Sequence, residues 1–308
     1  MSGQAPAGGA VVVLKPPGMT SHDVVAWARR ALGLRRVGHT GTLDPLAAGV
    51  LVLLVGRATR ASRWFLGLRK AYRAEALFGV STDSGDLDGA VTARADASGL
   101  TAGQVEAAAA ALAGWVKQRP PAVSAVRVAG ERAYRRARRG EAVSVPERTV
   151  HVGRCDLLEW FPDAVPGPRA LLDIECSSGT YVRSLVEDLG RALGVPAVTS
   201  FLLRTRVGPF GLEEALTLEE LEQAAAGGAV PLLPLADALG FLPAVTVDPA
   251  LARRVVQGRS LPAAALGLGQ DAGPTRVLDD RGRLLAVVTA AGGAVRYEAV
   301  FGAPGDAQ

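Results

Sequence analysis

Apolar and polar positions along this chain change period from segment to segment, and each period names an element. Val11–Leu14 and Val50–Val55 are short unbroken apolar runs, so both read as strands, the second buried on both faces. Between them Val24, Val25, Ala28, Ala31 and Leu32 recur at helical spacing. A helix is therefore expected from a Thr20 or Ser21 cap to Leu32, with Asp23 in its first turn, where a carboxylate suits the dipole, and Gly33 past its end. Residues 57–66 read as a helix carrying an arginine stripe, and Lys70–Phe78 and 169–176 as strands. Thr101 with Gln104 and Thr217 with Glu220 are capping boxes, flanked by the staples Leu100/Val105 and Leu216/Leu221; they start helices running to about Trp115 and Ala226. Val182, Leu185, Val186, Leu189 and Leu193 mark one face of a further helix that Gly194 ends. After Pro231–Pro234 and Leu242-Pro243 the character changes. Residues 245–301 hold short strands, a helix near Ala250–Gln257 and a turn at Asp279–Gly282. No internal repeat or heptad pattern is visible.

Composition narrows the class. The 308 residues suffice for one large domain plus a small one, or for two of similar size, and with 49% hydrophobic and 21% charged residues the chain is not a disordered one. The net charge is only +4, yet 31 of its 34 basic residues are arginine, the side chain suited to bidentate phosphate contacts and base stacking. A GC-rich coding bias accounts for much of that excess, so the charge is compatible with nucleic acid without demanding it. Two cysteines, Cys155 and Cys176, make no disulfide framework, and three histidines offer no second pair of ligands for a zinc site. Residues 1–10 lack the basic start of a signal peptide, and no apolar run approaches the roughly 18 residues a membrane span needs, so a cytoplasmic protein is expected.

The densest chemistry lies at Gly38-His-Thr-Gly-Thr-Leu-Asp-Pro-Leu-Ala-Ala-Gly49, a loop rich in Gly, Thr and Pro that feeds the Val50–Val55 strand. Asp44 is held extended by Pro45, and His39 lies five residues upstream. In isolation an Asp-Pro is ordinary turn chemistry. The whole string, however, resembles the catalytic motif of the bacterial tRNA pseudouridine-55 synthase family, TruB. Lys15-Pro16, Pro120–Tyr134, Cys176–Arg183 and Phe201–Arg204 resemble further family motifs, with Val123 and Arg127 departing from the usual aromatic and Lys.

The resemblance implies a catalytic Asp44, an Arg183 paired with it, and a Tyr72 whose ring stacks on the target base. It assigns His39, Tyr181 and Leu202 to holding the flipped-out uridine. Without it, Tyr72 would read as a packing residue and Leu202 as a core leucine. It gives Lys15 a structural part, packing and a buried ion pair. It implies an α+β fold: a mixed, largely antiparallel sheet core of the pseudouridine synthase type flanked by helices, with a small C-terminal β-rich PUA-like module. Residues 1–240 would be the catalytic domain and 243–308 the RNA-binding module. The expected function is an isomerase acting on uridine-55 in the T-arm of tRNA, with no cofactor, no metal and no obligate protein partner, working as a monomer. Alternatives are the RNA-guided synthase of ribonucleoprotein particles and a non-catalytic tRNA-binding chaperone. Arg132, Arg135, Arg136 and Arg139 fit one helix face, either solvated or contacting RNA phosphates; beside these motifs, RNA contact is the reading taken.

Overall fold

In the computed structural model, which describes residues 8–121, 126–128, 130–133, 136, 139, 141 and 145–302, the chain builds on one long sheet. Its principal strands are β1 (Gly9–Lys15), β2 (Val37–His39), β3 (Ala48–Val55), β4 (Lys70–Phe78), β5 (Gly114–Gln118), β6 (Arg148–Phe161), β7 (Arg169–Cys176) and β8 (Ala197–Val207). The spatial order is β1-β3-β8-β4-β7-β6-β5, with β2 on β3 and the short strands Leu233–Pro234 and Phe210–Gly211 on β1 and β8. Every pairing in it is antiparallel except β3 with β8, where Ala48 and Gly49 lie against Leu203 and Arg204. That parallel seam is where the Asp44 loop enters the sheet. Gly49 is required there: its φ is +114°, and a Cβ would fall 2.2 Å from the Arg204 carbonyl oxygen.

Strand β7 shows why the sheet has one packed and one open face. Ala170, Leu172, Ile174 and Cys176 are buried, while Arg169, Asp173 and Glu175 alternate with them. The buried set meets α2 (Ala102–Ala110) and α3 (Val182–Ala192), in a core that also takes in Leu43, Tyr72 and Leu202. On the open face Arg169 pairs with Glu75 at 3.1 Å and Arg206 with Glu175 at 2.9 Å. Helices α1 (Ser21–Leu32) and α4 (Leu218–Ala226) pack Val24, Val25, Ala28, Leu218 and Leu221 on β1 and β3, whose apolar runs are buried on both faces.

Both expected capping boxes form, and Thr20 with Asp23 makes a third, so Asp23 is a capping partner as well as a dipole charge. Two local expectations are corrected. The helix that starts at Thr101 ends at Ala110 rather than Trp115, because Gly114 turns at φ +108° and residues 114–118 pair with β6. Residues 57–66 form a 3-10 turn (Gly56–Ala61) and a short helix (Ser62–Leu66). Their arginines grip the C-terminal unit: Arg60 Nη1 donates to the Val300 carbonyl at 2.7 Å and Arg63 reaches Glu298 at 2.5 Å.

That unit is a four-stranded sheet of β9 (Ala244–Thr246), β10 (Thr275–Leu278), β11 (Leu284–Ala291) and β12 (Ala294–Val300), with α5 (Pro249–Val256) packed on it. Val287, Ala299 and Phe301 join Ala10, Val50 and Phe65 in a shared core. No helix among the described residues is long and apolar enough to cross a membrane.

Candidate active site

The loop between β2 and β3 is fastened at several points. Ser21 Oγ lies at 2.8 Å from the Leu43 N–H, which donates to it, and Lys15 Nζ donates to the carbonyls of Met19 at 2.6 Å, Pro16 at 2.9 Å and Pro45 at 3.3 Å. Lys15 is fully buried, and desolvation holds its amine down at about 8. The expected ion pair for Lys15 is therefore replaced by a three-carbonyl clasp on the two turns flanking the site. Arg204, 2% exposed, clamps the same loop from the sheet. Its Nε donates to the Val50 carbonyl at 2.8 Å, Nη2 to Gly41 at 3.2 Å and Nη1 to Thr42 at 3.4 Å.

Asp44 emerges from this clasp beside a buried guanidinium. Arg183, in the first turn of α3, approaches Asp44 Oδ2 through Nε at 2.9 Å, with side-chain exposures of 3% and 29%. Its Nη1 also meets Asp86 Oδ2 at 3.2 Å and donates to the Ser84 carbonyl at 2.6 Å. Asp86 is itself fixed by Ser84 Oγ at 2.5 Å. Burial pushes the Asp44 carboxyl up, Arg183 pulls it back toward the charged form, and Asp86 pushes it up again. The arrangement is a carboxylate balanced between one cation and a second anion.

Tyr72 and Leu202 share the face of the sheet beside the loop. Tyr72 pairs in register with Arg204, and Leu202 with Ala74 one step along. Both are buried, and burial raises the Tyr72 phenol, which hydrogen-bonds to Arg204. Tyr181 caps the start of α3, two residues before Arg183, with the Arg148 guanidinium 4.7 Å from its ring centroid. His39 sits at the end of β2, where its Nδ1 accepts the Gly41 N–H at 3.3 Å and its ring lies 6.1 Å from that of His22. The structure thus gathers Asp44, Tyr72, Arg183 and Leu202 around one apolar core, and sets His39 and Tyr181 on the segments leading into it.

Asp86 and Gln118 are not legible as site residues in the sequence, and Arg204 enters only as the last residue of the Phe201–Arg204 motif, with no role of its own. Asp86 is one of three acids in a loop without periodicity, and nothing local separates it from Asp83 or Asp88. Arg204 did leave a signal, a charged residue at the same strand parity as the inward-facing Leu202. Of the proposed arginine face, Arg135 lies outside the described residues, as do Val123 and Tyr134 of the Pro120–Tyr134 motif. Arg136 pairs with Glu141 at 2.7 Å and Arg139 with Glu131 at 2.8 Å, so part of that basic charge is matched within the chain. Among the described residues, no cluster of three or more His, Cys, Asp and Glu side chains could hold a metal ion.

Solved structures place this construction in a class. A chain in the crystal structure of a Cbf5-Nop10-Gar1 complex matches with a TM-score of 0.76 at 28% identity, over 97% of this chain and 86% of that one. One in the archaeal box H/ACA sRNP Nop10-Cbf5 complex gives 0.74 at 26% identity, over 97% and 88%. The fold is that of the pseudouridine synthases.

Sequence comparison narrows it further. The profile of the TruB family pseudouridylate synthase N-terminal domain matches residues 29–182, and that of the tRNA pseudouridylate synthase B C-terminal domain matches 183–229. The tRNA pseudouridine synthase B of Symbiobacterium thermophilum is 54% identical over 81% of this chain and 82% of its own length. That of Thermobifida fusca is 42% identical over 96% and 99%. The chain belongs to the TruB family. The second profile falls on α3 and β8, inside the main sheet, and residues 243–302 lie beyond both profiles.

Proposed function

We propose that this protein is the tRNA pseudouridine-55 synthase of its organism, isomerising a uridine in the T-arm of tRNA. The observation that carries the reading is the 2.9 Å contact of Asp44 with Arg183, made by segments 139 residues apart, beside the core that holds the buried Tyr72 and Leu202. A uridine within folded RNA does not expose its glycosidic bond, so it must leave the stack at a cost of a few kcal/mol. Stacking on Tyr72 and apolar contact with Leu202 offset that cost, Tyr181 lines the approach, and His39 holds the opened loop.

Asp44, kept ionised by Arg183, then acts on the sugar or the base, as nucleophile or as proton acceptor at the ribose. The N1–C1′ bond breaks, the uracil turns, C5 bonds to C1′, and the hydrogen displaced from C5 is balanced by one gained at N1. Atoms and electrons close without a co-reactant. The C-terminal sheet serves as a PUA-like RNA-binding module, residues 243–308, beside a catalytic domain of residues 1–240. The protein works in the cytoplasm as a monomer.

Purified protein alone, incubated with unmodified tRNA and followed by chemical mapping of pseudouridine, should convert the T-loop position and no other. Conversion only with a guide RNA and partner proteins would favour the RNA-guided reading that the Cbf5 likeness raises. Binding without conversion would favour a tRNA chaperone.

A further inference from the structure

Helices α1, α2 and α4 each begin with a threonine that closes its own capping box. Helix α3, which carries Arg183, does not: Tyr181 stands at its cap position and gives the helix no side-chain hydrogen bond. A helix start without a cap frays readily, because its first N–H groups lack partners. At α3 that would displace the two residues that face the reacting base and its carboxylate.

The missing restraint comes from another element. Gln118, the last residue of edge strand β5, is 1% exposed, and its side-chain amide closes a two-bond ring on the Tyr181 backbone. Nε2 donates to the Tyr181 carbonyl at 2.9 Å, and Oε1 accepts the Tyr181 N–H at 2.7 Å. This is the exchange two strand residues make across a ladder, performed by a side chain. A second tie follows, with Ser184 Oγ donating to the Arg119 carbonyl at 3.0 Å. Arg148, which pairs with Gln118 across β5 and β6, covers the Tyr181 ring. One edge of the sheet therefore grips Tyr181 by its backbone and by its ring.

We infer that Gln118 is a positioning residue for the isomerisation: by clamping the Tyr181 backbone it fixes where α3 begins, and through that the placement of Tyr181 and Arg183 against Asp44. Successive helical residues turn by about 100°, so a slip of one residue in the start of α3 would swing Arg183 off the carboxylate. Glutamine is the residue that the clamp needs. It supplies a donor and an acceptor at the right reach, whereas Glu retains only the acceptor, Leu has neither, and Asn is one methylene short.

The inference rests on the proposed activity, and its test separates the two. Gln118→Leu, Gln118→Glu and Gln118→Asn are compared with the unaltered protein on unmodified tRNA, by single-turnover pseudouridine formation and by tRNA dissociation constant. Misplacement of a reacting group by about 1 Å costs on the order of 100-fold in rate. Gln118→Leu should therefore lose 10- to 100-fold in turnover, with binding within about threefold, and Gln118→Glu should lie between it and the parent. In an Arg183→Lys background the Gln118→Leu loss should shrink, because both changes disturb the same contact. Should Gln118→Leu not fold, Gln118→Glu, which keeps the bond from the Tyr181 N–H, carries the comparison. Losses that multiply in the double variant, or a binding defect with intact turnover, would overturn the inference. If the unaltered protein forms no pseudouridine, it is the proposed function that fails.

Discussion

Replacing Arg204 by Met keeps an unbranched side chain of similar length in a site that is 2% exposed, and removes every donor from it. The carbonyls of Val50, Gly41 and Thr42 lose a charged partner at 2.8, 3.2 and 3.4 Å, and the Tyr72 hydroxyl loses the cation beside it. A hydrogen bond to a charged group contributes about 1.5–3 kcal/mol; the short bond counts near the top of that range and the two long ones well below it. Relief from holding a desolvated guanidinium offsets part of the loss. The net expectation is about 2–4 kcal/mol of stability, which for a chain of this size lowers the melting temperature by about 3–6 °C. The effect on chemistry should be larger in proportion. Gly41 and Thr42 precede Asp44 in one loop, and a displacement of about 1 Å in the carboxylate costs roughly 100-fold in turnover. The assay is a thermal melt, paired with tritium release from tRNA whose uridines are labelled at C5, the position that loses its hydrogen. Arg204→Lys keeps the charge without the planar fork and should fall between. A Met variant with parental melting and parental tritium release would show that the clamp holds nothing.

Arg183→Gln removes the strongest influence that keeps Asp44 charged and leaves Asp86 opposing it, so the Asp44 carboxyl should titrate higher still. An acid that must be ionised to work loses activity as pH falls through its raised value. The acidic limb of the pH–rate profile should thus move to higher pH in this variant, and a limb that stays in place would contradict the pairing. Lys15→Met tests the carbonyl clasp through pH. The Lys15 amine is held at about 8 against an ordinary 10.5, so its burial cost is present in full below pH 8 and is relieved as pH rises to the unfolded value. Between pH 8 and 10 the parent should gain up to about 3 kcal/mol of stability relative to the variant, read from denaturant unfolding at each pH. Leu189→Ala, at a fully buried position of α3, should cost about 2–5 kcal/mol by the same measurement, with tRNA affinity unchanged at temperatures where the variant is folded.

How far the molecule could be read from its residues depended on whether the determinant was local. Strand β7 is legible because apolar and polar side chains alternate along its whole length, and the starts of α2 and α4 because Thr and Gln or Glu stand three apart. The Asp44 loop stands out because so much chemistry is packed into twelve residues before an apolar strand. The end of α2 is not legible because alanines continue past Ala110, while pairing with β6, distant in sequence, draws residues 114–118 into the sheet. The expected carboxylate partner of Lys15 was wrong for a similar reason, since the carbonyls that surround it belong to two turns brought together only by folding. Asp86, Gln118 and Arg204 acquire their places from segments 97, 63 and more than 150 residues away, and no spacing rule reaches that far.

The most direct measurement sets Asp44→Asn against the parent protein on an unmodified T-arm stem-loop, following pseudouridine formation in a single turnover together with the dissociation constant for the same RNA. The variant should form no detectable pseudouridine while it binds the RNA within a few-fold of the parent. Pseudouridine formed at a rate near the parent's would contradict the catalytic role of Asp44.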